Sequence, residues 1–130
     1  MDADRLKQIP VFSDLDPTAM RTVATFASEV SVPKGKELVR EGDYSYDVLA
    51  IEEGTAEVTR GGEHVADLGP GDVVGEMGVV EKGTRNATVT ATSPMLLVTL
   101  DRWDVKRLSK QSPEVLEHLK ALIEARKAGL

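Results

Sequence analysis

The sequence predicts a mainly β domain flanked by helices, and three observations support this fold class. Short runs of β-branched and apolar residues recur between about residues 30 and 100, separated by turns that contain Gly or Pro. Apolar residues recur at helical spacing on both sides of that region. A chain of 130 residues can form one domain with its own core but not two of ordinary size. The residues themselves leave open a β-sandwich, a jelly roll or a small barrel.

The N-terminal segment, residues 1–29, is predicted to be helical. Asp16 and Pro17 match an N-cap followed by proline at the first helical position. Apolar residues then follow at helical spacing, namely Met20, Val23, Ala24 and Ala27. The preceding residues 9–12 form a short apolar hook that is expected to pack under this helix.

The central segment, residues 30–100, is predicted to form the sheet structure. Strand-like runs occupy residues 36–39, 47–52, 55–60, 64–68, 88–91 and 95–100. Two of these runs are joined by Gly61 and Gly62, which predicts a hairpin, because both central positions of a tight hairpin turn favour positive φ.

The C-terminal segment, residues 101–130, is predicted to form two helices. Asp101 caps the first, which runs through Lys110, and Ser112 followed by Pro113 begins the second. The second helix carries an apolar stripe made of Val115, Leu116, Leu119, Leu122 and Ile123. Two interpretations of this stripe remain open: it packs against the β domain, or it belongs to a mobile or dimerising helix.

Composition excludes several classes of function. The chain has no cysteine, so it has no disulfide framework, thiolate metal site or cysteine nucleophile. Sixteen basic residues against 22 acidic ones argue against direct nucleic-acid binding. Residues 1–100 carry 9 basic and 17 acidic groups, whereas residues 101–130 carry 7 and 5. No apolar run reaches the length of a membrane span and no signal-peptide core is present, so a cytoplasmic location is expected.

The most informative stretch is residues 74–89, in which a Gly-rich turn is followed by an arginine that directly precedes a β-branched strand. Free backbone N–H groups at such a turn form an anion site. Arg85 adds a charge-assisted, bidentate contact to a phosphate. Glu76 accepts hydrogen bonds from hydroxyl groups but repels a highly charged phosphate. The combination favours a ligand with one phosphate charge and a sugar hydroxyl.

The pattern Gly-Glu-x-Gly, with Arg-x-Ala-Thr beginning nine residues after the glutamate, resembles the phosphate-binding cassette of cyclic nucleotide-binding domains. Such domains occur in the catabolite activator protein, in kinase regulatory subunits and in cyclic nucleotide-gated channels. Upstream, residues 32–35, 40–43, 53–58 and 68–72 are similar to the family's early strands and the turn before the cassette. The resemblance covers nearly the whole chain. It implies one domain, 1–130, with a leading helical segment, an eight-stranded jelly-roll β-barrel and two closing helices.

The resemblance also implies a role for each residue of the cassette. Arg85 pairs with the exocyclic phosphate of a cyclic mononucleotide, and Glu76 accepts a hydrogen bond from the ribose 2′-hydroxyl. Close backbone approach and N–H contacts to the ligand are expected from Gly75, Glu76, Met77, Gly78, Asn86 and Ala87. The C-terminal helix is expected to close over the purine as a lid, with Arg126 stacked on the base and Val74 beside it.

The sequence departs from the family pattern at two positions. Thr84 stands where the family often has proline, and threonine restricts the backbone conformation of the loop less than proline does. Asn86 is neither the alanine of cAMP-selective kinase sites nor the threonine or serine found where cGMP is favoured. Because that position offers no hydroxyl to a guanine amino group, the expectation favours cAMP over cGMP. Val65 and Val73 are further candidate purine contacts inside the barrel.

The sequence indicates partners for the domain but neither catalysis nor a metal site. The expected partners are the cyclic nucleotide and a partner protein or attached effector domain; the alternative is a degenerate cassette in a fold that serves dimerisation or docking. No catalysis and no metal are expected, since His64 has no second histidine nearby. Glu114 and His118 are interpreted as a solvated pair on a helix, and the pair Glu52 and Glu53 as a solvated strand end.

Overall fold

The computed structural model describes residues 1–42, 48–74 and 87–126. Within these ranges it contains four helices and eight strands. The helices are α1 (Ala3–Leu6), α2 (Pro17–Phe26), α3 (Arg102–Gln111) and α4 (Pro113–Arg126). The strands are β1 (Ser28–Val32), β2 (Glu37–Val39), β3 (Val48–Glu53), β4 (Ala56–Arg60), β5 (Glu63–Leu68), β6 (Val73–Val74), β7 (Thr88–Ala91) and β8 (Met95–Leu100). None of the described helices is long and apolar enough to cross a membrane.

The strands form two four-stranded antiparallel sheets. The first sheet has the order β1-β8-β3-β6 and the second the order β2-β7-β4-β5. Apart from the β4–β5 hairpin, consecutive strands lie in different sheets, which is the arrangement of a jelly roll. The predicted mainly β class with flanking helices is confirmed. Helix α1 and strands β1 and β6 were not predicted as separate elements, and β1 begins at Ser28, within the segment 1–29 predicted to be helical.

Side-chain hydrogen bonds confirm the predicted helix starts at Asp16 and Asp101, and the third predicted helix begins at Pro113 as expected. The Ala19 N–H donates to Asp16 Oδ1 at 2.8 Å, so Asp16 caps α2. At the start of α3, the Asp104 N–H donates to Asp101 Oδ1 at 2.8 Å, and the Asp101 N–H donates to Asp104 Oδ2 at 3.1 Å. This reciprocal pair is a capping box with aspartate in the place of the usual glutamate.

The predicted hairpin also forms. Arg60 pairs with Glu63, and the two residues between them have positive φ, +59° at Gly61 and +83° at Gly62. Both central residues of the turn are therefore left-handed, which matches the right-handed twist of the strands it joins.

The central strands of the first sheet, β3 and β8, are buried on both faces, which explains why they are nearly continuous apolar runs, whereas the edge strand β1 is mostly exposed. Because side chains alternate along a strand, Val48 and Ala50 face the helices while Leu49 and Ile51 face the second sheet. Two apolar clusters result. The helical core contains Leu6, Ile9, Val11, Phe12, Leu15, Ala19, Met20, Val23, Ala24, Ala27, Val48, Ala50, Val73, Val98, Leu100, Leu108, Leu116, Leu119 and Ile123. The inter-sheet core contains Val39, Leu49, Ile51, Ala56, Val58, Leu68, Val74, Ala87, Val89, Ala91, Met95 and Leu97.

The apolar hook and the C-terminal stripe both belong to the helical core. Ile9, Val11 and Phe12 are at most 2% exposed, as predicted for a hook packed under α2. On α4, Leu119 and Ile123 are at most 1% exposed. In this structure the stripe therefore packs against the rest of the domain, the first of its two interpretations.

The turn between β3 and β4 needs glycine at position 54, and alanine there is expected to destabilise the fold. Gly54 has φ +95°, and a Cβ on it would lie 2.5 Å from Pro94 O and 2.9 Å from Met95 Cα. We expect Gly54→Ala to lower the free energy of unfolding by roughly 2–5 kcal/mol, from backbone strain and forced displacement of the turn before β8.

Gly35→Ala is the matched control for this substitution. Gly35 has φ +90° but nothing within 4 Å of the added Cβ, so only the strain of the backbone conformation is expected there. Urea unfolding of both variants separates the two contributions. Equal losses would show that contact with the Pro94 turn adds nothing.

Candidate functional site

The predicted phosphate-binding residues fall in the connection between β6 and β7. Residues 75–86 form that connection, and they lie outside the described part of the chain. The predicted site residues that lie there are Gly75, Glu76, Met77, Gly78, Arg85 and Asn86. What the structure describes is how each end of this connection is held.

Both ends of the connection are anchored in the inter-sheet core. Val74 and Ala87 are each 2% exposed. Val74 lies on β6, the edge strand of the first sheet, where it pairs with Leu49 of β3. Ala87 directly precedes β7, which lies between β2 and β4 in the second sheet. The connection therefore begins in one sheet and ends in the other, with both ends fixed against the same apolar interior.

The start of β6 is held by a tight turn. The Gly71 N–H donates to Ile51 O, and the Ile51 N–H donates to Asp72 O, both at 2.9 Å. The Asp72 carboxylate also accepts a hydrogen bond from the Gly69 N–H at 2.8 Å. These bonds fix the position of a strand of only two residues, and so fix where the connection begins.

The start of β7 is tied to two other parts of the second sheet. The Glu41 N–H donates to Thr88 Oγ1 at 2.9 Å. The Glu41 carboxylate in turn accepts a hydrogen bond from the Gly61 N–H at 2.9 Å. Thr88, the residue after Ala87, is thereby linked to the β4–β5 turn.

The inter-sheet core between the two anchors is entirely apolar. Its members are aliphatic side chains and one methionine. They are at most 8% exposed, so they pack against one another, which removes apolar area from water. This core offers no side-chain hydrogen-bond donor or acceptor.

Two of the expected purine contacts do not lie in the inter-sheet core, so the prediction that they lie inside the barrel is wrong. Val73 is fully buried, but it belongs to the helical core, because consecutive residues of β6 face opposite sides of the first sheet. Val65 is 44% exposed and lies where the register between β4 and β5 shifts. Arg126 is the last residue of α4, and its side chain lies outside the described part of the structure.

A carboxylate pair shares one arginine where α1 meets the first sheet. Arg5 Nε lies 2.8 Å from Glu52 Oε1 and 2.8 Å from Glu29 Oε2. The Glu52 side chain is only 12% exposed, and its Oε2 is buried with no hydrogen-bond partner among the described residues. Burial raises the pKa of Glu52, and the neighbouring Glu29 raises it further against the opposing effect of Arg5. The interpretation of Glu52 as a solvated strand end is therefore wrong; Glu53 is exposed.

This raised pKa predicts a pH dependence of stability. Glu52 binds its proton more tightly in the folded protein than in the unfolded chain. Its contribution to stability is therefore full below the ordinary glutamate pKa and is lost as pH rises through the raised value. Glu52→Gln stays neutral and still accepts a hydrogen bond from Arg5. We therefore expect this substitution to remove the loss of stability with rising pH. Urea unfolding across the acidic pH range measures it.

The control is Glu63→Gln, at the exposed start of β5. It should retain the pH profile of the unmodified protein. If the free energy of unfolding of Glu52→Gln still falls equally as pH rises, the pH dependence belongs to other groups.

Histidines provide no metal centre in the described residues. His64 Nδ1 lies 3.0 Å from Glu57 Oε1 on the exposed face of the β4–β5 hairpin, and this hydrogen bond raises the pKa of His64. Glu114 and His118 are both exposed on α4. Within the described ranges no three His, Cys, Asp or Glu side chains are grouped as metal ligands.

The two sheets, the helices that cover one of them and the connection anchored between β6 and β7 define a jelly-roll domain. A family model described as the cyclic nucleotide-binding domain matches residues 29–112, well over half of the chain. The chain belongs to this family, as its resemblance predicted.

Two relatives and one solved structure illustrate this similarity. The chain is 34% identical over 104 residues to a cAMP-dependent protein kinase regulatory subunit of Schizosaccharomyces pombe, covering 79% of this chain and 25% of the relative. It is 29% identical over 126 residues to the cyclic AMP receptor protein of Thermus thermophilus, covering 93% and 58%. The crystal structure of the N-terminal domain of a transcriptional regulator from Streptomyces coelicolor A3(2) superposes with a TM-score of 0.77 at 28% identity, covering 95% and 91%. The chain thus spans about a quarter to three-fifths of these curated relatives.

Proposed function

We propose that this domain binds a cyclic mononucleotide, with cAMP preferred over cGMP, and that binding regulates a partner protein or an attached effector domain. The observation that carries the proposal is the position of the cassette. The Gly-Glu-x-Gly residues and Arg85 stand in the connection 75–86, whose flanking residues Val74 and Ala87 are buried in the inter-sheet core. A nucleotide held by that connection has an apolar surface beside it for its base.

Each part of the nucleotide has its own contacts in this proposal. Arg85 pairs with the exocyclic phosphate, which carries a single negative charge. Glu76 accepts a hydrogen bond from the ribose 2′-hydroxyl. Gly75 allows close backbone approach, and the N–H groups of Glu76, Met77 and Gly78 hold phosphate or sugar oxygens. Backbone N–H groups of Asn86 and Ala87 add to this set. The purine packs beside Val74.

The preference for cAMP has two supports. Two of the similar proteins are named for cAMP, a cAMP-dependent kinase regulatory subunit and a cyclic AMP receptor protein. In this chain, Asn86 offers no hydroxyl to the amino group that distinguishes guanine from adenine.

The signal is proposed to leave through the C-terminal helices. Helix α4 begins directly after Ser112, the single residue that separates it from α3. Such a junction allows α4 to adopt a second orientation over the purine, in which Arg126 stacks on the base. A ligand that contacts only one orientation shifts the population toward it. A partner or effector domain then reads the position of α4.

Calorimetric titration of ligand-free protein tests the proposal. The protein is unfolded, dialysed and refolded to remove any copurified nucleotide, and then titrated with cAMP, cGMP and 5′-AMP. We expect saturable one-to-one binding of cAMP, weaker binding of cGMP, and much weaker binding of 5′-AMP, whose open phosphate carries more charge beside Glu76. Tighter binding of cGMP would reverse the preference. No binding of either cyclic nucleotide would leave a degenerate cassette in a docking fold.

A further inference from the structure

Helix α3 presents a basic stripe with one exposed aromatic side chain. Trp103, Lys106, Arg107 and Lys110 stand at positions i, i+3, i+4 and i+7, so they follow one face of the helix. The opposite face is anchored in the domain, where Leu108 is fully buried. The stripe is therefore held on a fixed scaffold.

The four side chains line a groove of about 400 Å³, called here the Trp103 groove. Trp103 is the only tryptophan of the chain and is 56% exposed. Among the described residues, two cations lie near its ring: Arg102 Cζ at 4.8 Å and Lys106 Nζ at 5.7 Å from the ring centroid. An exposed indole flanked by cations combines an apolar contact surface with positive charge.

Part of the positive charge in the groove is not neutralised by the protein itself. Arg107 Nη2 lies 2.8 Å from Asp104 Oδ1 and forms an ion pair with it. Neither Lys106 nor Lys110 forms an ion pair with any residue in the ranges 1–42, 48–74 and 87–126. This basic surface contrasts with residues 1–100, which carry 17 acidic groups against 9 basic ones. Charge complementarity points to an anionic occupant.

A protein segment fits this groove better than a membrane or a nucleic acid does. The other large hydrophobic side chains exposed among the described residues, Val30 and Val65, lie on strands and add nothing to the α3 face. One indole supplies little apolar area for insertion into lipid. The formal net charge of −6 repels nucleic acid, and a single aromatic residue makes a poor base-stacking surface.

We propose that the Trp103 groove docks an acidic segment of a protein, with carboxylates on Lys106 and Lys110 and an apolar side chain against Trp103. The two lysines are one helical turn apart, about 6 Å along the axis. Carboxylates four residues apart on a helix or two apart on a strand match that separation. The proposed occupant is a partner protein, and its recognition needs only this charge spacing and one apolar anchor.

Fluorescence of Trp103, the sole tryptophan, reports docking directly. The probe is an oligoglutamate peptide with one central leucine, and its counterpart is an oligolysine peptide of the same length with the same leucine. We expect a saturable change in Trp103 fluorescence with the acidic peptide alone. Reversing both lysines in Lys106→Glu/Lys110→Glu should weaken binding by about tenfold or more. Lys34→Glu/Lys36→Glu, at exposed positions before β2, should bind as the unmodified protein does.

Three results would overturn the proposal: no saturable change with the acidic peptide, equal weakening in both double variants, or equal binding of the oligolysine peptide. Vesicles of phosphatidylserine and phosphatidylcholine form a further arm, and a stronger response to them than to the peptide would replace the protein segment with a membrane surface. Thermal unfolding checks that each variant is folded. If Lys106→Glu/Lys110→Glu is not, Lys106→Gln/Lys110→Gln removes the charges without reversing them and must still weaken binding.

Discussion

Replacing Arg85 with alanine is expected to weaken cAMP binding by roughly tenfold to a hundredfold or more, because a hydrogen-bonded ion pair contributes about 1.5–3 kcal/mol. The phosphate keeps its charge when it leaves water, so loss of its partner leaves that charge uncompensated. Calorimetric titration of ligand-free protein measures the effect.

Two further variants separate the effect of the Arg85 charge from that of its geometry and serve as a control. Arg85→Lys keeps the charge but loses the planar, bidentate geometry, so an intermediate affinity is expected. Arg21→Ala removes an exposed arginine from α2, where its guanidinium contacts Thr18, and should bind cAMP normally. Equal affinity of Arg85→Ala and Arg21→Ala would remove Arg85 from the phosphate site.

Phe12→Ala is expected to cause the largest loss of stability among the substitutions considered. Phe12 is 1% exposed within the helical core, where the N-terminal hook packs beneath α2. Removing a buried phenylalanine side chain costs roughly 3–5 kcal/mol of unfolding free energy, since apolar burial is lost and a cavity remains. For a domain whose total stability is about 5–15 kcal/mol, that is a large fraction.

Phe26→Ala is the natural comparison, because the chain has only two phenylalanines. Phe26 packs against the same core but is only partly buried, with the Arg107 guanidinium 5.8 Å from its ring centroid. Urea unfolding should show a clearly smaller loss for Phe26→Ala. Losses of equal size would mean that the hook is not a principal part of the helical core.

The features that the sequence predicts well are those set by neighbouring residues. The turn at Gly61 and Gly62 follows from a conformational need that glycine meets, and the helix starts at Asp16 and Asp101 follow from side chains that reach N–H groups three residues on. These interactions span only a few residues, so their pattern is visible without the rest of the fold.

Short elements held by distant contacts escape the same reasoning. Strand β6 has only two residues, and its position depends on hydrogen bonds between Ile51 and the turn at Gly71 and Asp72. Helix α1 has only four residues, of which Leu6 is fully buried in the helical core. Neither element is long enough for its apolar residues to repeat with the period of a helix or a strand.

The burial of Glu52 and its raised pKa also depend on a contact between residues that are distant in the chain. Two adjacent glutamates at a strand end are typical of a solvated position, but Arg5 lies 47 residues earlier in the chain and meets Glu52 only once α1 packs on the first sheet. The misplacement of Val73 is different, because alternation along β6 would have separated it from Val74 had the strand been predicted.

For the candidate site, the motif predicts the residues and the structure supplies their setting. The spacing of Glu76 and Arg85 carries the resemblance to the phosphate-binding cassette. The connection starts in one sheet, ends in the other and is buried at both Val74 and Ala87. This arrangement depends on the topology of the whole domain.

Binding of a cyclic nucleotide at this connection is tested most directly by amide correlation spectra of isotopically labelled, ligand-free protein during titration with cAMP. We predict that the largest shifts fall on residues 74–87, with further shifts in α4 as it changes orientation. No shifts at saturating cAMP, or shifts confined to the Trp103 groove, would contradict a nucleotide site between β6 and β7.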